Sequence, residues 1–244
     1  MAGQALSLPR ILLSGDAALT VEFSSKIDPE ANRRVLALDR AIAEHGLNGV
    51  RETVPTYRSL LVHYDPVVTD YDNIRQRLLE LAERPAPEIP PGRRWRIPVV
   101  YGGEYGIDLE DVARAPGMTP DDVVRRHPEG DYCVLMLGFM PGWAYLTGLD
   151  PLLATPRRQN PRTFTPAGTI SIGGVQAGVQ CLAAPSGWHL LGRTPARTYD
   201  IQRQPIFMLE PADMVNFYAI PDNEFADMNR AAESGELVAE QVKR

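Results

Sequence analysis

The stretch RPAPEIPPG, residues 84–92, places four prolines in nine residues. Each ring locks φ and removes a backbone N–H, so neither a helix nor a central strand can run through it. The sequence on either side shows different periodicities. Upstream, ALTVEF (18–23) alternates as a strand does, and Asp28-Pro29 offers an N-cap followed by proline at the first helical position. Val35, Leu38 and Ile42 then recur at helical spacing as far as Gly46, a natural stop. VRETVPTY (50–57) and SLLVHY (59–64) are two further strands, and Ile74, Leu78 and Leu81 mark a helix over 70–84. The order β-α-β-β-α begins a ferredoxin-like split unit. Residues 1–84 are therefore expected to form a ferredoxin-like-type α/β sandwich, with 85–94 as a proline-rich linker.

Downstream, WRIPVVY (95–101) is a strand, followed by two short helices. One starts near Asp108; the other is capped by Thr119, with Pro120 in its first turn and Asp122 three residues after the cap. From Asp131 the pattern changes to short β segments punctuated by Gly and Pro: YCVLMLGF, GTISIGG, VQAGVQCLA, WHLLGR, IFMLE and DMVNFYAI. Many short strands with turn signals point to a barrel or sandwich over 95–221. The tail, 222–244, is expected to carry a short helix. The fold class is α+β.

A 244-residue chain with 44% hydrophobic residues can build a real core. Its longest apolar runs, such as CVLMLGFM, fall far short of the roughly 20 residues that cross a bilayer. No basic-then-apolar leader is visible, so the expected compartment is the cytoplasm and no membrane partner is expected. The net charge of −6 argues against general nucleic-acid binding. Cys133 and Cys181 make neither a disulfide framework nor a metal knuckle and are expected to be buried and reduced. The histidines are too scattered to suggest a metal site.

Charge is distributed unevenly. Between Pro151 and Tyr199 there is no Asp or Glu, yet Arg157, Arg158, Arg162, Arg193 and Arg197 all lie there. The only lysines are Lys26 and Lys243, which leaves a lysine-based mechanism almost nothing to use. Guanidinium groups present a rigid fork of donors to carboxylate or phosphate oxygens and stay charged at physiological pH. Arg157, Arg158 and Arg162, stiffened by Pro156, Pro161 and Pro166, either form an anion pocket or pair with acids distant in sequence. GFMPGWAYLTGL (138–149) is a second candidate: Phe139, Trp143 and Tyr145 could wall a planar ligand or plug the barrel end, the plug being favoured for Phe139 and the pocket for Tyr145. GGVQAG (173–178) has the glycines of a phosphate loop but no following helix, and turn glycines explain it better. His127 and His189 are candidates for general base work, with a hydrogen-bonded structural role favoured for each.

Taken together, GDAALTVEF, PTYRSLLVHYDP, VVYGGEYGIDLEDVA, LGFMPGWAYLTGLDPLLATPRRQNPRTFTPAGTISIGG and SGWHLLGRTP resemble the family of 5-oxoprolinase B subunits, also called allophanate hydrolase subunit 1. That family is similar to subdomains C and D of the urea carboxylase carboxyltransferase region. The resemblance runs from about Gly15 to about Pro221. It implies an N-terminal ferredoxin-like-type domain and a C-terminal cyclophilin-like β-barrel. It also implies ATP-dependent opening of 5-oxoproline to glutamate, ATP with Mg at an assembled site, partner subunits C and A, and a chain inactive alone. Arg157, Arg158, Arg162, Gln176 and Arg193 match family positions, and with Tyr145 they are the expected binding residues for an anionic substrate or nucleotide. The family commonly has Phe where Trp143 stands, Gly-Gly-Gln-Thr-Gly where this chain has Gly174-Val175-Gln176-Ala177-Gly178, and Gln where His189 stands. Relatives imply two alternatives: carboxyl transfer to urea or a related amide, with biotin supplied by a partner, and non-catalytic inhibition of a histidine kinase.

Overall fold

The structure, a computed structural model, describes residues 8–85 and 92–242. They form two compact units, Met1–Pro90 and Pro91–Arg244, each with its own apolar core. Of the proline-rich segment expected to link them, residues 86–91 lie outside the described residues.

In the first unit the elements run β1 (Arg10–Leu13), β2 (Ala18–Glu22), α1 (Pro29–His45), β3 (Val50–Pro55), β4 (Ser59–Tyr64) and α2 (Tyr71–Ala82). Asp28 caps α1 through its carboxylate, which accepts from Glu30 N at 2.9 Å, and Gly46 closes the helix in the left-handed conformation. Asp70 caps α2 in the same way, accepting from Asn73 N at 2.8 Å. Val35, Leu38 and Ile42 of α1 and Ile74, Leu78 and Leu81 of α2 are buried against Leu19, Val21, Leu60 and Val62 of the sheet. The sheet is antiparallel throughout, in the order β1-β2-β4-β3. A ferredoxin-like unit takes the strand beside β2 from the end of its split βαβ motif; here that edge is β1, which comes before β2 in the chain. RILL carries too little alternation to mark it as a strand, and its pairing with β2, Arg10 opposite Glu22 and Leu13 opposite Leu19, is what defines it. The buried Glu22 carboxylate is held by Arg10 and by Arg58 Nη1, the latter at 2.6 Å.

The second unit contains β5 (Arg94–Tyr101), α3 (Leu109–Arg114), α4 (Pro120–Glu129), β6 (Tyr132–Leu137), β7 (Ala144–Thr147), β8 (Arg162–Thr165), β9 (Thr169–Gly173), β10 (Gln176–Val179), β11 (Ala184–Ser186), β12 (His189–Arg193), β13 (Met214–Ala219), α5 (Asp222–Glu233) and β14 (Glu240–Val242). Seven strands close into a barrel in the order β12-β9-β10-β7-β6-β13-β5, with β5 returning to β12. Ile97, Val134, Leu146, Ile170, Ile172, Ala177, Val179 and Leu191 fill its interior, so the barrel is a packed core and not a channel. The α+β class and the barrel are as expected from the sequence.

Two segments differ from the sequence reading. IFMLE (206–210) is irregular, touching Tyr199 through a single bridge at Phe207; Met208 and Leu209 are buried by packing and not by a strand ladder. The tail forms α5 and then β14, which pairs antiparallel with the first part of β5 on the edge that β12 uses further along. At the start of β5, the buried Asp213 accepts from Arg93 N at 2.8 Å and from Trp95 Nε1 at 3.1 Å.

Closure depends on a close approach between the loop after β5 and β12. Gly102 N donates to Leu191 O at 3.0 Å, and Asp108 N to Leu190 O at 3.1 Å. A Cβ added at Gly106 would lie 1.9 Å from Leu191 O, with no flexible side chain able to yield. Gly106→Ala is therefore expected to lower the stability of this unit by about 3 kcal/mol. Gly103→Ala meets open space and costs only the left-handed backbone, about 1 kcal/mol. Urea denaturation followed by tryptophan fluorescence measures both, since Trp95, Trp143 and Trp188 all belong to the second unit.

Candidate functional site

The arginine segment is held against the outside of the barrel at several points. Thr155 bridges Gly174 in both directions, at 3.2 and 2.7 Å, and Arg158 N donates to Gly187 O at 2.8 Å. β8 pairs with β11. Behind β8, the buried Gln180 amide donates to Thr165 O, Pro166 O and Leu182 O, and its carbonyl accepts from Thr165 Oγ1 at 2.9 Å. Prolines at 156, 161 and 166 thus sit in a loop whose backbone bonds are satisfied by its neighbours, which fits the rigidity read from the sequence.

Between this segment and the outer face of β7 lies a cavity of about 330 Å³, lined by Phe139, Trp143, Tyr145, Arg157, Arg158, Pro161, Pro185, Ser186, Gly187 and Trp188. Its aromatic wall is built on small residues. Ile170, Ile172, Ala177 and Val179 point into the barrel, so Ser171, Gly173, Gln176 and Gly178 point out. A Cβ at Gly173 would come within 2.7 Å of the Trp188 ring, and one at Gly178 would touch both Trp188 and Trp143. Glycine therefore lets the two indoles lie on the strands. They meet edge to face at 5.7 Å, and Tyr145 meets Trp188 in the same manner at 5.9 Å. Arg157 lies 5.5 Å from the Trp188 ring centre. Phe139 does not plug the barrel end, because the turn at Gly138–Gly142 carries it outward: it is 66% exposed at the cavity edge, in the left-handed conformation with φ 68°.

The apparent lack of acids around the arginines is a property of sequence and not of space. Asp108, 2% exposed, accepts from Arg158 Nη1 at 3.2 Å and from Arg162 Nη2 at 2.6 Å on one carboxylate oxygen. Its other oxygen accepts from Leu190 N at 2.8 Å. Two of the three clustered arginines thus share a buried counter-ion some 50 residues upstream, whereas Arg157 has no carboxylate partner among the described residues. Arg193 lies apart from the cavity lining. It stacks over Tyr105 and over Phe225 of α5, donates to Ala167 O at 3.2 Å, and has its guanidinium pKa lowered by burial.

Among the described residues, eight side-chain polar atoms are buried without a hydrogen-bond partner. Six belong to the arginine segment or to the strands and loops it rests on: Trp143 Nε1, Arg158 Nε, Arg162 Nη1, Ser171 Oγ, Gln176 Nε2 and His189 Nδ1. His189 Nε2 donates to Pro156 O at 2.9 Å, while its Nδ1 is buried without a partner. Each such atom costs on the order of 1–3 kcal/mol while unpaired, and native proteins concentrate such costs where a ligand or partner will meet them. A second cavity of about 330 Å³, between α1 and α2 of the first unit, shows none of this. Its Arg34 donates to Ala82 O and its Arg84 contacts His45. Trp188, Asp108 and Ser171 were not singled out from the sequence; only the glycines opposite Trp188, in GTISIGG and VQAGVQ, hinted at a large side chain lying there.

His127 sits in the barrel core, away from the cavity, fully buried among Tyr101, Tyr132 and Phe217, with Nδ1 2.8 Å from the Tyr101 hydroxyl. Burial pushes its pKa down to about 3. ATP and Mg, implied by the family resemblance, do not match this surface. The β9–β10 turn has no helix behind it to receive phosphate, and Arg158 and Arg162 are already tied to Asp108. Among the described residues no three His, Cys, Asp or Glu side chains lie together to hold a metal ion. No helix among them is long and apolar enough to cross a membrane.

Residues 9–209 match the carboxyltransferase domain, subdomain C and D, which defines the class of the fold and site. The chain is 35% identical over 226 residues to the B subunit of 5-oxoprolinase from Bacillus subtilis, covering 86% of this chain and 92% of that one. It belongs to the 5-oxoprolinase B-subunit family. The solved structure of TTHA0988 superposes with a TM-score of 0.74 at 34% identity over 84% of this chain, which spans only 40% of that longer chain. The urea carboxylase of Kluyveromyces lactis shares the fold, with a TM-score of 0.75 at 19% identity over 95% of this chain and 24% of that one. The B-subunit relatives are by name one part of a multi-subunit enzyme.

Two outcomes are expected. Asp108→Ala strands two guanidinium groups and an amide N–H and should destabilise the second unit by about 3–5 kcal/mol, with Asp108→Asn costing less because it still accepts from Leu190 N; denaturant titration compares them. His127 takes up a proton near pH 6.5 when unfolded but only near 3 when folded, so the unfolded state binds the extra proton between those values. Stability is fully present above pH 6.5 and falls on acidification, by up to about 1.4 kcal/mol per pH unit from this ring. His127→Phe should flatten the stability profile between pH 6.5 and about 5.5, above the range in which carboxylates take up protons.

Proposed function

We propose that this chain is the B subunit of an ATP-dependent 5-oxoprolinase, opening 5-oxoproline to L-glutamate in the cytoplasm together with subunits C and A. Family membership supports the reaction. The single structural observation behind the reading is Arg157, which has no carboxylate partner among the described residues and stands over Trp188 at a cavity walled by Trp143, Tyr145 and Trp188. Such an arrangement holds the acceptor oxygens of an anionic amide. It supplies binding and orientation. The candidates for proton transfer on this chain are limited by their surroundings: His127 is sealed in the core, and His189 is tied to Pro156 O. A lone chain is accordingly expected to be inactive.

A second reading, carboxyl transfer to urea or a related amide from a partner-borne biotin, draws on the fold shared with urea carboxylase. One assay separates the two. The chain is mixed with subunits A and C of its own complex, and ADP and glutamate are measured with and without 5-oxoproline. The expected result is 5-oxoproline-dependent formation of both products that disappears when this chain is omitted. An assembled complex releasing neither, or one that carboxylates urea instead, overturns the proposal.

A further inference from the structure

The first unit carries a cationic surface that the site on the barrel does not use. Arg10, Arg33, Arg51 and Arg58 of this unit each meet a carboxylate and are neutralised where they stand. The arginines around the cavity between α1 and α2 are not. Arg34, Arg40 and Arg84 line it together, and none of them has a carboxylate partner among the described residues. Glu44 stands at the same cavity without an ion pair of its own, which leaves three cations against one anion in a chain whose net charge is −6. A neighbouring hollow of about 290 Å³, also bordered by His45, adds Arg77.

Helix packing explains why the cavity is there. Ala37, Ala41 and Ala82 are small where the two helices face each other, so about 330 Å³ remains open beside Leu38 and Leu81. That is room for roughly ten bulk waters, enough for a large apolar side chain. Ala37, Leu38, Leu81 and Ala82 are buried and make the floor apolar. The rim is partly fixed: Arg34 donates to Ala82 O at 3.3 Å and lies 4.7 Å from the centre of the Phe23 ring. His45 Nδ1 donates to Ala41 O at 2.8 Å and its Nε2 accepts from Arg84 Nη1 at 3.2 Å, since a carbonyl only accepts and a guanidinium only donates. Arg84 is thus held by one nitrogen, and its others stay available. Arg40 has no hydrogen bond or ion pair among the described residues. Capping of α2 accounts for Arg34 and not for Arg40.

An apolar floor inside a cationic rim is matched by a polypeptide segment that sets an apolar side chain between acidic ones. Inorganic phosphate would use the rim and leave the floor bare, and a polynucleotide would meet a chain of opposing net charge. We infer that the cavity between α1 and α2 is a docking site for an acidic segment of a partner subunit, its carboxylates on Arg40 and Arg84 and an apolar side chain over Leu38 and Leu81. The inference rests on the proposed function, which gives this chain its partner subunits, and it assigns one surface of the first unit to them.

Assembly of the full chain with subunits A and C is measured by sedimentation velocity over a concentration series, so that turnover is not the readout. Arg40→Glu combined with Arg84→Glu should weaken assembly about tenfold or more. That loss should shrink as sodium chloride is raised and screens the charges. Arg75→Glu, on α2 but outside both hollows, should change assembly by less than about threefold. Ala41→Phe, which fills the cavity and leaves every charge in place, should weaken assembly as well. The thermal transition of each variant checks its folding. Unchanged assembly in the double variant or in folded Ala41→Phe, an equal loss in Arg75→Glu, or a native chain that joins neither subunit overturns the inference. A complex that needs Arg40 and Arg84 to assemble but opens no ring discards the reaction and keeps the docking site. A complex that opens the ring and assembles equally well in the double variant keeps the reaction and discards the docking site.

Discussion

The buried carboxylate of Asp108 joins the closure of the barrel to the construction of its outer pocket. It stands at the end of a loop that Gly106 presses onto β12, so its backbone N–H meets Leu190 O while its own oxygen takes the Leu190 N–H. Its other oxygen reaches across to Arg158 and Arg162. A carboxylate this deeply buried is tolerated only because three donors converge on it. The same three donors tie together the last strand of the ring, the loop that shuts it, and the arginine segment laid over its surface.

That arrangement explains why the pocket lies outside the barrel and not within it. The interior is filled by Ile, Val, Leu and Ala side chains, leaving no room for a ligand. On the opposite face of the same strands, Gly173 and Gly178 leave shallow ground into which Trp188 and Trp143 settle. The indoles and the arginine segment then form walls around a space that neither the strands nor the loop would enclose alone. Several polar atoms are buried in making these walls without being satisfied, and they are concentrated here and not spread over the unit.

Much of the secondary structure was legible because local chemistry dictates it. Asp28, Asp70 and Thr119 cap helices where their side chains can reach an N–H two or three residues on, and Gly46 ends one where a left-handed residue is needed. β1 escaped because RILL becomes a strand only by pairing with β2, and β14 because Glu240–Val242 needs the free edge of β5. IFMLE misled in the other direction, since its apolar residues are buried by packing in an irregular segment. At the site, Arg157, Arg158 and Tyr145 stood out by residue type, whereas Arg193, equally conspicuous, is occupied with Tyr105 and Phe225.

By itself the sequence determined two differently patterned halves, the helices of the first, the many short strands of the second, and a concentration of arginine in a stretch without acids. These follow from interactions among residues a few positions apart, which periodicity and capping report directly. Only the tertiary structure decided that Asp108 neutralises part of that arginine cluster and that Arg157 is left without a carboxylate. The physical reason is separation along the chain: a carboxylate some 50 residues away leaves no mark on local pattern, and it becomes a counter-ion only when the closing barrel brings its loop against β12.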